Sequence, residues 1–276
     1  MTASSVSVAE MGDVIAKGID VSYAQGVIDW PKVAKAVDFA IIRATATYPG
    51  PGRSGVDTQW ERNIQEARKA GVPIGAYHYS YAKDIAEMQA EARHFLNAIR
   101  PYRFEWPVCL DFEEAYQIGG PGTPGYPPSK QMDMIDAWME IVQGAGCFAA
   151  LYSTGSAIKR LRDAYPGRMA RYAVWVAHVD TDKPMTPGGI WQYSWHGKVD
   201  GIAGDVDLNY AYEDYPAIIR GAELNGWGAK DKPAEAPEGE TVTIPTEELK
   251  AAYSALQAAH DATGEAIEKI RMILGV

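Results

Sequence analysis

Two carboxylates follow an apolar run in the segment Pro107-Val-Cys-Leu-Asp-Phe-Glu-Glu114. On a β-strand, Asp111 and Glu113 would point to the same face, about 6.5–7 Å apart along the backbone, with Phe112 on the other face. Carboxyl groups at the end of a buried strand are costly unless something uses them. A pair of this kind suits glycoside hydrolysis, in which one carboxyl donates a proton while the other is an anion. For Glu114 we expect only a capping or structural role.

Further acids stand at the ends of two other β-rich runs. Asp20 lies near the end of the first run, and Asp205 and Asp207 share one face of the last. The first and last strands of a closed barrel are neighbours. We therefore expect these acids to meet Asp111 and Glu113 on one rim, where α/β barrels carry their active sites.

The β-rich runs alternate with helical patterns over residues 17–212. Helices are predicted at 57–70, 84–99 and 129–142, and eight short strands are predicted at 18–22, 39–45, 73–79, 107–113, 147–152, 172–177, 190–193 and 205–209. Alternation of strand and helix favours a parallel sheet, and eight strands favour a barrel. The predicted fold class is α/β, a (β/α) barrel whose last three strands lack full helices.

Composition divides the chain into three parts. Residues 1–220 form the predicted barrel, residues 221–245 have the composition of a flexible linker, and residues 246–276 form a predicted amphipathic helix. The helix carries a heptad-like stripe at Leu249, Leu256, Thr263 and Ile270, with Tyr253, His260, Ile267 and Leu274 four residues after each. A lone helix cannot bury such a stripe. We expect self-association into a homo-oligomer, with docking on the barrel or binding of a partner as alternatives.

Charge and cysteine content exclude several classes of protein. The net charge of −10 speaks against nucleic-acid partners and anionic membranes, both of which require a basic surface. The two cysteines, Cys109 and Cys147, exclude a disulfide scaffold and a four-thiolate metal site, and we expect reduced buried thiols. No apolar run is long enough to span a membrane, so no membrane insertion is expected.

No cofactor or metal is expected either. The glycines Gly120, Gly122 and Gly125 fit the spacing of a dinucleotide-binding loop, but interspersed prolines are incompatible with its phosphate-binding turn. His178 and Asp180 lack a third ligand in the sequence, so a hydrogen-bonded pair is the better interpretation of these two residues.

Several segments together resemble glycoside hydrolase family 25, the Chalaropsis-type lysozymes. They include Gly18-Ile-Asp-Val-Ser22, Asp29-Trp30, Phe39-Ala-Ile-Ile-Arg-Ala-Thr45, Gly75-Ala-Tyr-His-Tyr79, Leu110-Asp-Phe-Glu113, Trp191-Gln-Tyr193 and Val206-Asp-Leu-Asn209. The resemblance covers roughly residues 17–215. It implies a barrel of five βα units and three further strands. It also implies N-acetylmuramidase activity on bacterial cell-wall peptidoglycan, at the β-1,4 bond from N-acetylmuramic acid to N-acetylglucosamine.

The resemblance also assigns roles to residues. Glu113 matches the general acid, and Asp111 matches a partner that steers the substrate 2-acetamido group as internal nucleophile or attacks directly. Asp20 and Asp207 match flanking acids that position substrate and tune the pair. Ala46 stands where the family often has glutamate, which affects a peripheral contact and not these four acids. The Pro- and Gly-rich loop 117–128 is expected to overhang the site.

Five aromatic residues are candidates for a sugar-binding groove, although the same residues could pack in the core. They are Tyr77, Tyr79, Tyr152, Trp175 and Trp191.

Three classes of function remain open from the sequence. The enzyme is favoured, because a lectin has no need to keep the proton donor. The alternatives are a non-catalytic glycan-binding barrel and a structural component of a virion or secretion machine, with a substrate-assisted chitinase as a weaker enzyme alternative. Residues 1–17 show no secretory signal, which fits a phage endolysin held in the host cytoplasm before release to the wall, or otherwise an extracellular enzyme exported by another route.

Overall fold

Strands rich in apolar residues close into a barrel in the computed structural model, which describes residues 12–48 and 55–227. The strands are β1 Ala16–Val21, β2 Phe39–Ala46, β3 Gly55–Val56, β4 Ile74–Tyr79, β5 Val108–Asp111, β6 Ala149–Thr154, β7 Ala173–Ala177, β8 Ile190–Gly197 and β9 Val206–Ala211. Eight of them close a ring in the order β1-β2-β4-β5-β6-β7-β8-β9. The short β3 pairs only with the end of β2. The predicted barrel is confirmed.

One strand runs against the others. Neighbours from β1 through β2 and β4 to β8 are parallel, whereas β9 is antiparallel to both β8 and β1. The prediction of a wholly parallel sheet is therefore wrong at β9. The connection from Gly197 to Val206 is too short for the crossover that a parallel strand requires. As a result, β9 begins at the rim where the parallel strands end.

Helices cover the first part of the barrel. They are α1 Trp30–Val33, α2 Trp60–Lys69, α3 Ile85–Ile99, α4 Ala115–Ile118, α5 Pro128–Gly144, α6 Gly155–Ala164, α7 Pro166–Met169 and α8 Tyr215–Gly221, with a 3₁₀ turn at Tyr23–Gln25. The three predicted helices correspond to α2, α3 and α5. Asp84 caps α3 by accepting from the Glu87 N–H (2.9 Å). The connections from β7 to β8 and from β8 to β9 contain no helix, as predicted.

The barrel has an apolar layer on each face of its sheet. Inside, Phe39 stacks on Trp106 with ring centroids 3.7 Å apart, beneath a buried Trp175. Outside, the sheet packs against the helices through residues such as Phe95 and Trp138. Both cysteines are free thiols, and Cys109 is buried as predicted, whereas Cys147 is only half-buried.

The barrel body extends beyond the predicted start of the linker at residue 221. Asn225 is 3% exposed; its side chain accepts from the Phe148 N–H (2.8 Å) and donates to the Trp106 carbonyl (3.0 Å). The Trp227 indole donates to the Phe104 carbonyl (3.0 Å). Residues 221–227 therefore pack on the barrel. The rest of the predicted linker and the predicted helix 246–276, with its proposed oligomerisation role, lie outside the described residues.

Among the residues that the structure describes, no helix has both the length and the apolar character needed to cross a membrane.

Tight packing between β4 and β5 predicts that Gly75→Ala destabilises the fold. An added Cβ would lie 2.6 Å from the Pro107 carbonyl oxygen and 3.0 Å from the Trp106 Cβ. We expect the free energy of unfolding to fall by about 1–3 kcal/mol in urea denaturation. Gly144→Ala is the control, because it meets nothing within 4 Å at the end of α5 and should leave stability unchanged or raise it by up to about 1 kcal/mol. Equal stability of both variants would contradict this packing argument.

Candidate active site

Strand ends bring the four predicted acids to one rim of the barrel. Asp111 is the last residue of β5, and Glu113 follows in the loop. Asp20 on β1 is the register partner of Asp207 on the antiparallel β9. Together with burial, repulsion from Asp20 raises the pKa values of Asp111, Glu113 and Asp207, so the four acids lie close together. Asp205, in contrast, is exposed and pairs with Lys198 and His196, so it is not part of the site.

Two buried amides hold the acids of β1 and β9. Gln192 on β8 donates from Nε2 to Asp20 Oδ2 (3.0 Å) and to Asp207 Oδ2 (3.1 Å). Asn209 on β9 donates from Nδ2 to the same Asp20 oxygen (2.7 Å). Gln192 and Asn209 are at most 1% exposed. Asp20 thus receives two amide N–H groups in place of water.

Aromatic donors fix the orientation of both amides. Tyr152 and Trp195 donate to Gln192 Oε1 (2.9 and 3.0 Å), and Trp175 donates to Asn209 Oδ1 (2.8 Å). Because an indole nitrogen can only donate, each amide must present its oxygen to the indole and its NH₂ group to the carboxylates. Sequence reasoning missed Gln192 and Asn209, although both lie within segments that carry the family resemblance.

Asp20 and Asp207 behave as a carboxyl pair that shares one proton. Burial raises the pKa of Asp207 to about 8, with repulsion from Asp20 adding to the increase. Burial also raises the pKa of Asp20 to about 6, and the hydrogen bonds from Asn209, Gln192 and Asp207 oppose this increase. Two close carboxylates in a low-dielectric site cannot both ionise readily. Near neutral pH the two carboxyl groups therefore favour holding one proton between them.

Glu113 keeps a substantial protonated fraction near neutral pH. Burial, followed by repulsion from Asp20 and Glu114, raises its pKa to about 7, although hydrogen bonds with Tyr79 and Tyr152 act in the opposite direction. Glu114 caps α4 together with Gln117, as expected, and its Oε1 accepts from the Tyr79 hydroxyl (2.8 Å). A carboxyl group in this state can act as a general acid.

Asp111 is more deeply buried than Glu113. It is 5% exposed, and burial together with repulsion from Glu113 and Asp20 holds its pKa well above the usual range. Arg43 acts in the opposite direction: its guanidinium, paired with Asp57 (2.7 Å), lowers the pKa of Asp111. Among the described residues, Asp111 Oδ1 has no hydrogen-bond partner. This oxygen is also shielded from solvent, and no donor in the described residues compensates its loss of water.

The five predicted sugar-binding aromatics fall into three places. Tyr79 and Tyr152 contact Glu113, at the site. Tyr77 and Trp175 meet edge to face inside the barrel, and Trp175 is only 1% exposed, so it has no free face for a sugar. Trp191 lies outside the barrel, because strand alternation places it on the face opposite Gln192.

Trp195 borders the site instead. The irregular pairing of β8 with β9 after Gln192 disturbs the alternation of side chains, so the Trp195 indole reaches Gln192 on the inner side. The side chain is 49% exposed, which leaves much of its ring open to a ligand. A sequence pattern of strict alternation does not reveal this residue.

No group of three or more His, Cys, Asp or Glu side chains within residues 12–48 and 55–227 is arranged to hold a metal ion.

Residues 19–202 match the family model described as "Glycosyl hydrolases family 25". The chain belongs to glycosyl hydrolase family 25. It is 33% identical to the uncharacterized protein YegX of Escherichia coli K12 over 216 residues, which are 74% of this chain and 73% of that protein. It is 30% identical to Lysozyme M1 of Streptomyces globisporus over 203 residues, 70% of this chain and 66% of that protein.

A solved structure shares the fold. The bacterial lysozyme from Streptomyces coelicolor superimposes with a TM-score of 0.63 and 27% identity, over 75% of this chain and 97% of that one. Family membership and the lysozymes among these relatives identify the protein as a glycoside hydrolase.

The shared proton predicts that Asp207→Asn stabilises the fold at alkaline pH. The pKa of Asp207 is raised in the folded state, so the folded state binds more protons than the unfolded state between about pH 4 and pH 8, and stability falls as pH rises through that range. The amide removes this ionisation and can still donate to Asp20. We expect the gain in unfolding temperature to be near zero at pH 4 and to grow towards pH 8.5.

Asp163→Asn is the control for this prediction. Asp163 is an exposed aspartate paired with Lys159, and its replacement should change stability by less than about 1 kcal/mol at any pH. A gain for Asp207→Asn that is the same at pH 4 and pH 8.5 would contradict the assignment.

Proposed function

We propose that this peptidoglycan hydrolase is an N-acetylmuramidase, with Glu113 as its general acid. The enzyme hydrolyses the β-1,4 bond from N-acetylmuramic acid to N-acetylglucosamine. The observation that carries the role of Glu113 is a pKa of about 7, next to a more deeply buried carboxyl at Asp111, on the carboxyl rim of the barrel. A proton donor beside a second carboxyl is the arrangement that glycoside hydrolysis uses.

Glu113 supplies the proton to the leaving group. As the C1–O4 bond breaks, the Glu113 proton moves to the O4 oxygen of the departing sugar, and positive charge develops at C1. The resulting Glu113 carboxylate then accepts a proton from the water that completes hydrolysis. Repulsion from Asp20 and Glu114 favours the protonated form before the reaction begins.

Asp111 acts on the sugar that keeps C1. Its carboxylate can accept the N–H of the 2-acetamido group, which directs the acetamido oxygen towards C1. Direct attack of the carboxylate on C1 is the other route. Both routes require ionised Asp111: burial and repulsion from Glu113 and Asp20 oppose this ionisation, and the positive charge of Arg43 favours it.

Asp20 and Asp207 determine the charge next to Glu113. Their shared proton limits the negative charge next to Glu113, and the amides of Gln192 and Asn209 keep both groups in place. We propose that the enzyme acts at the bacterial cell wall. It would arrive there either as a phage endolysin released from the host cytoplasm or as an exported enzyme.

Glu113→Gln should abolish lysis of purified Gram-positive cell walls. The amide cannot donate a proton to O4, so we expect a loss of about a hundredfold or more in the rate of turbidity decrease. The exposed Glu140→Gln on α5 is the control and should lyse at the wild-type rate. Mass spectrometry of wild-type products should show N-acetylmuramic acid at the reducing end.

Other outcomes of the same experiment select the alternatives. Equal lysis by wild type and Glu113→Gln removes Glu113 from the acid role. Absence of lysis by both proteins, with wall binding retained, supports the non-catalytic glycan-binding barrel.

The decrease in activity on the alkaline side of the pH profile, its alkaline limb, should reflect the ionisation of Glu113. Its acid form is lost as pH rises through about 7, so kcat/KM should fall above that pH. Glu114→Gln removes a like charge that raises the pKa of Glu113, and the limb should therefore move to lower pH. An alkaline limb above pH 9, or one that Glu114→Gln moves upward, would contradict the assignment. The measurement is the initial rate on cell walls between pH 4 and pH 10.

A further inference from the structure

Five tyrosines form a continuous band that begins at Glu113. Tyr79 contacts Glu113, and its ring lies 5.1 Å from that of Tyr81, centroid to centroid. Tyr81 lies 5.6 Å from Tyr48, and its carbonyl accepts from the Tyr116 hydroxyl (2.6 Å). The ring of Tyr116 lies 6.0 Å from that of Tyr126. We call these five residues the tyrosine band.

The tyrosine band is assembled from three loops on one rim. Tyr48 follows β2, Tyr81 follows β4, and Tyr116 and Tyr126 belong to the segment after β5, which includes the Pro- and Gly-rich loop. The three strands are parallel, so their ends meet on the rim that carries Asp111. All five residues are half-buried, so each keeps some surface open to solvent. The Lys130 ammonium covers one face of the Tyr126 ring, 3.5 Å from its centroid, and the Tyr48 hydroxyl is buried. The open surface of the tyrosine band is continuous with the candidate active site.

A buried carboxylate holds two of these loops. Glu91 on α3 is 4% exposed, and it accepts from the Ser80 hydroxyl (2.6 Å), the Tyr81 N–H (3.2 Å) and the Thr47 hydroxyl. These bonds tie the residue before Tyr48 to the backbone of Tyr81. The Glu91 side chain therefore holds together the loops that carry Tyr48 and Tyr81.

A buried amide joins the third loop to the second. Gln117, which is fully buried, donates to the carbonyls of Ala82 (3.0 Å) and Ser80 (3.4 Å). Gly119 and Gly125 close the loop on itself: a Cβ on Gly125 would lie 2.2 Å from the Gly119 nitrogen. Side chains fixed before binding lose less entropy when a ligand arrives. The tyrosine band is therefore preorganised.

We propose that the tyrosine band is an extended saccharide-binding platform, which holds sugar units of the glycan strand beyond the two that flank the cleaved bond. The ring of a tyrosine offers an apolar face to the C–H face of a sugar. The Tyr79 and Tyr116 hydroxyls already bond to Glu114 and to the Tyr81 carbonyl, which fixes the orientation of their rings. A tyrosine side chain also has few rotatable bonds to order on binding. The proposal rests on the proposed function, since the platform extends from Glu113.

The proposal is tested by comparing activity on a short and on a long glycan oligomer. The substrates are peptide-free glycan oligomers of two and of five disaccharide units, and the variants are Tyr81→Ala and Tyr126→Ala. We expect each variant to lose about threefold to tenfold in kcat/KM on the long oligomer, mainly through KM, and less than twofold on the short one. Tyr126→Phe keeps the ring and should retain most of the activity on the long oligomer.

Tyr212→Ala is the matched control. Tyr212 follows β9, which runs opposite to its neighbours, so it stands at the other rim of the barrel. Tyr212→Ala should leave the ratio of kcat/KM on the long oligomer to kcat/KM on the short oligomer unchanged. Equal losses on both oligomers, or no loss on either, would overturn the proposal. The same variants are also assayed on glycan strands that carry stem peptides. A loss of activity on those strands alone would overturn the proposal and indicate a peptide-binding surface.

Binding separates this proposal from the proposed function. Calorimetry with Glu113→Gln measures affinity for the long oligomer without cleavage, and adding Tyr126→Ala should weaken that affinity by about threefold to tenfold. If wild type cleaves neither oligomer, the proposed function fails, and the calorimetric comparison still decides whether the tyrosine band binds saccharide. Equal affinity of Glu113→Gln and of the double variant with Tyr126→Ala for the long oligomer would refute the proposed platform.

Discussion

The burial of four carboxyl groups on one rim is the constraint that shapes the rest of the site. Each of Asp20, Asp111, Glu113 and Asp207 loses water on burial, and Asp20 repels the other three. Such groups are tolerated only where protons, donors or opposite charge compensate. Here a proton between Asp20 and Asp207, the amides of Gln192 and Asn209, and the charge of Arg43 provide that compensation. The same burial and repulsion that destabilise the fold make Glu113 a proton donor.

The aromatic residues divide between supporting the acids and facing solvent. Trp175 and Tyr152 use their polar atoms to orient Asn209 and Gln192, and their rings lie within 4.5 Å of each other, centroid to centroid. Replacing either ring would therefore disturb an amide as well as the packing. Trp195 and the tyrosine band keep part of their surface open at the rim. The site is thus a rigid acidic centre with aromatic surfaces on either side.

Reversal of β9 links the fold to the chemistry. A parallel last strand would carry Asp207, which lies near its beginning, to the opposite rim. The hairpin between β8 and β9 places Asp207 opposite Asp20 and aligns Asn209 with Gly18 in the same ladder. The absence of helices between β7 and β9 leaves room for this short connection. Irregular pairing in the same hairpin also brings Trp195 to Gln192.

The sequence by itself determined the barrel, its helix-poor end and the paired acids Asp111 and Glu113, because strand periodicity and turn residues act over a few positions. Barrel closure placed Asp20 and Asp207 on the same rim, and the resemblance to a known family added their roles and the expected activity. Only the tertiary structure decided that β9 runs antiparallel, that Trp191 faces outward and that the tyrosine band forms. It also decided which donors serve Asp20, since Gln192 and Asn209 lie 172 and 189 positions away along the chain. Contacts of such separation depend on how the barrel closes, which no local pattern encodes.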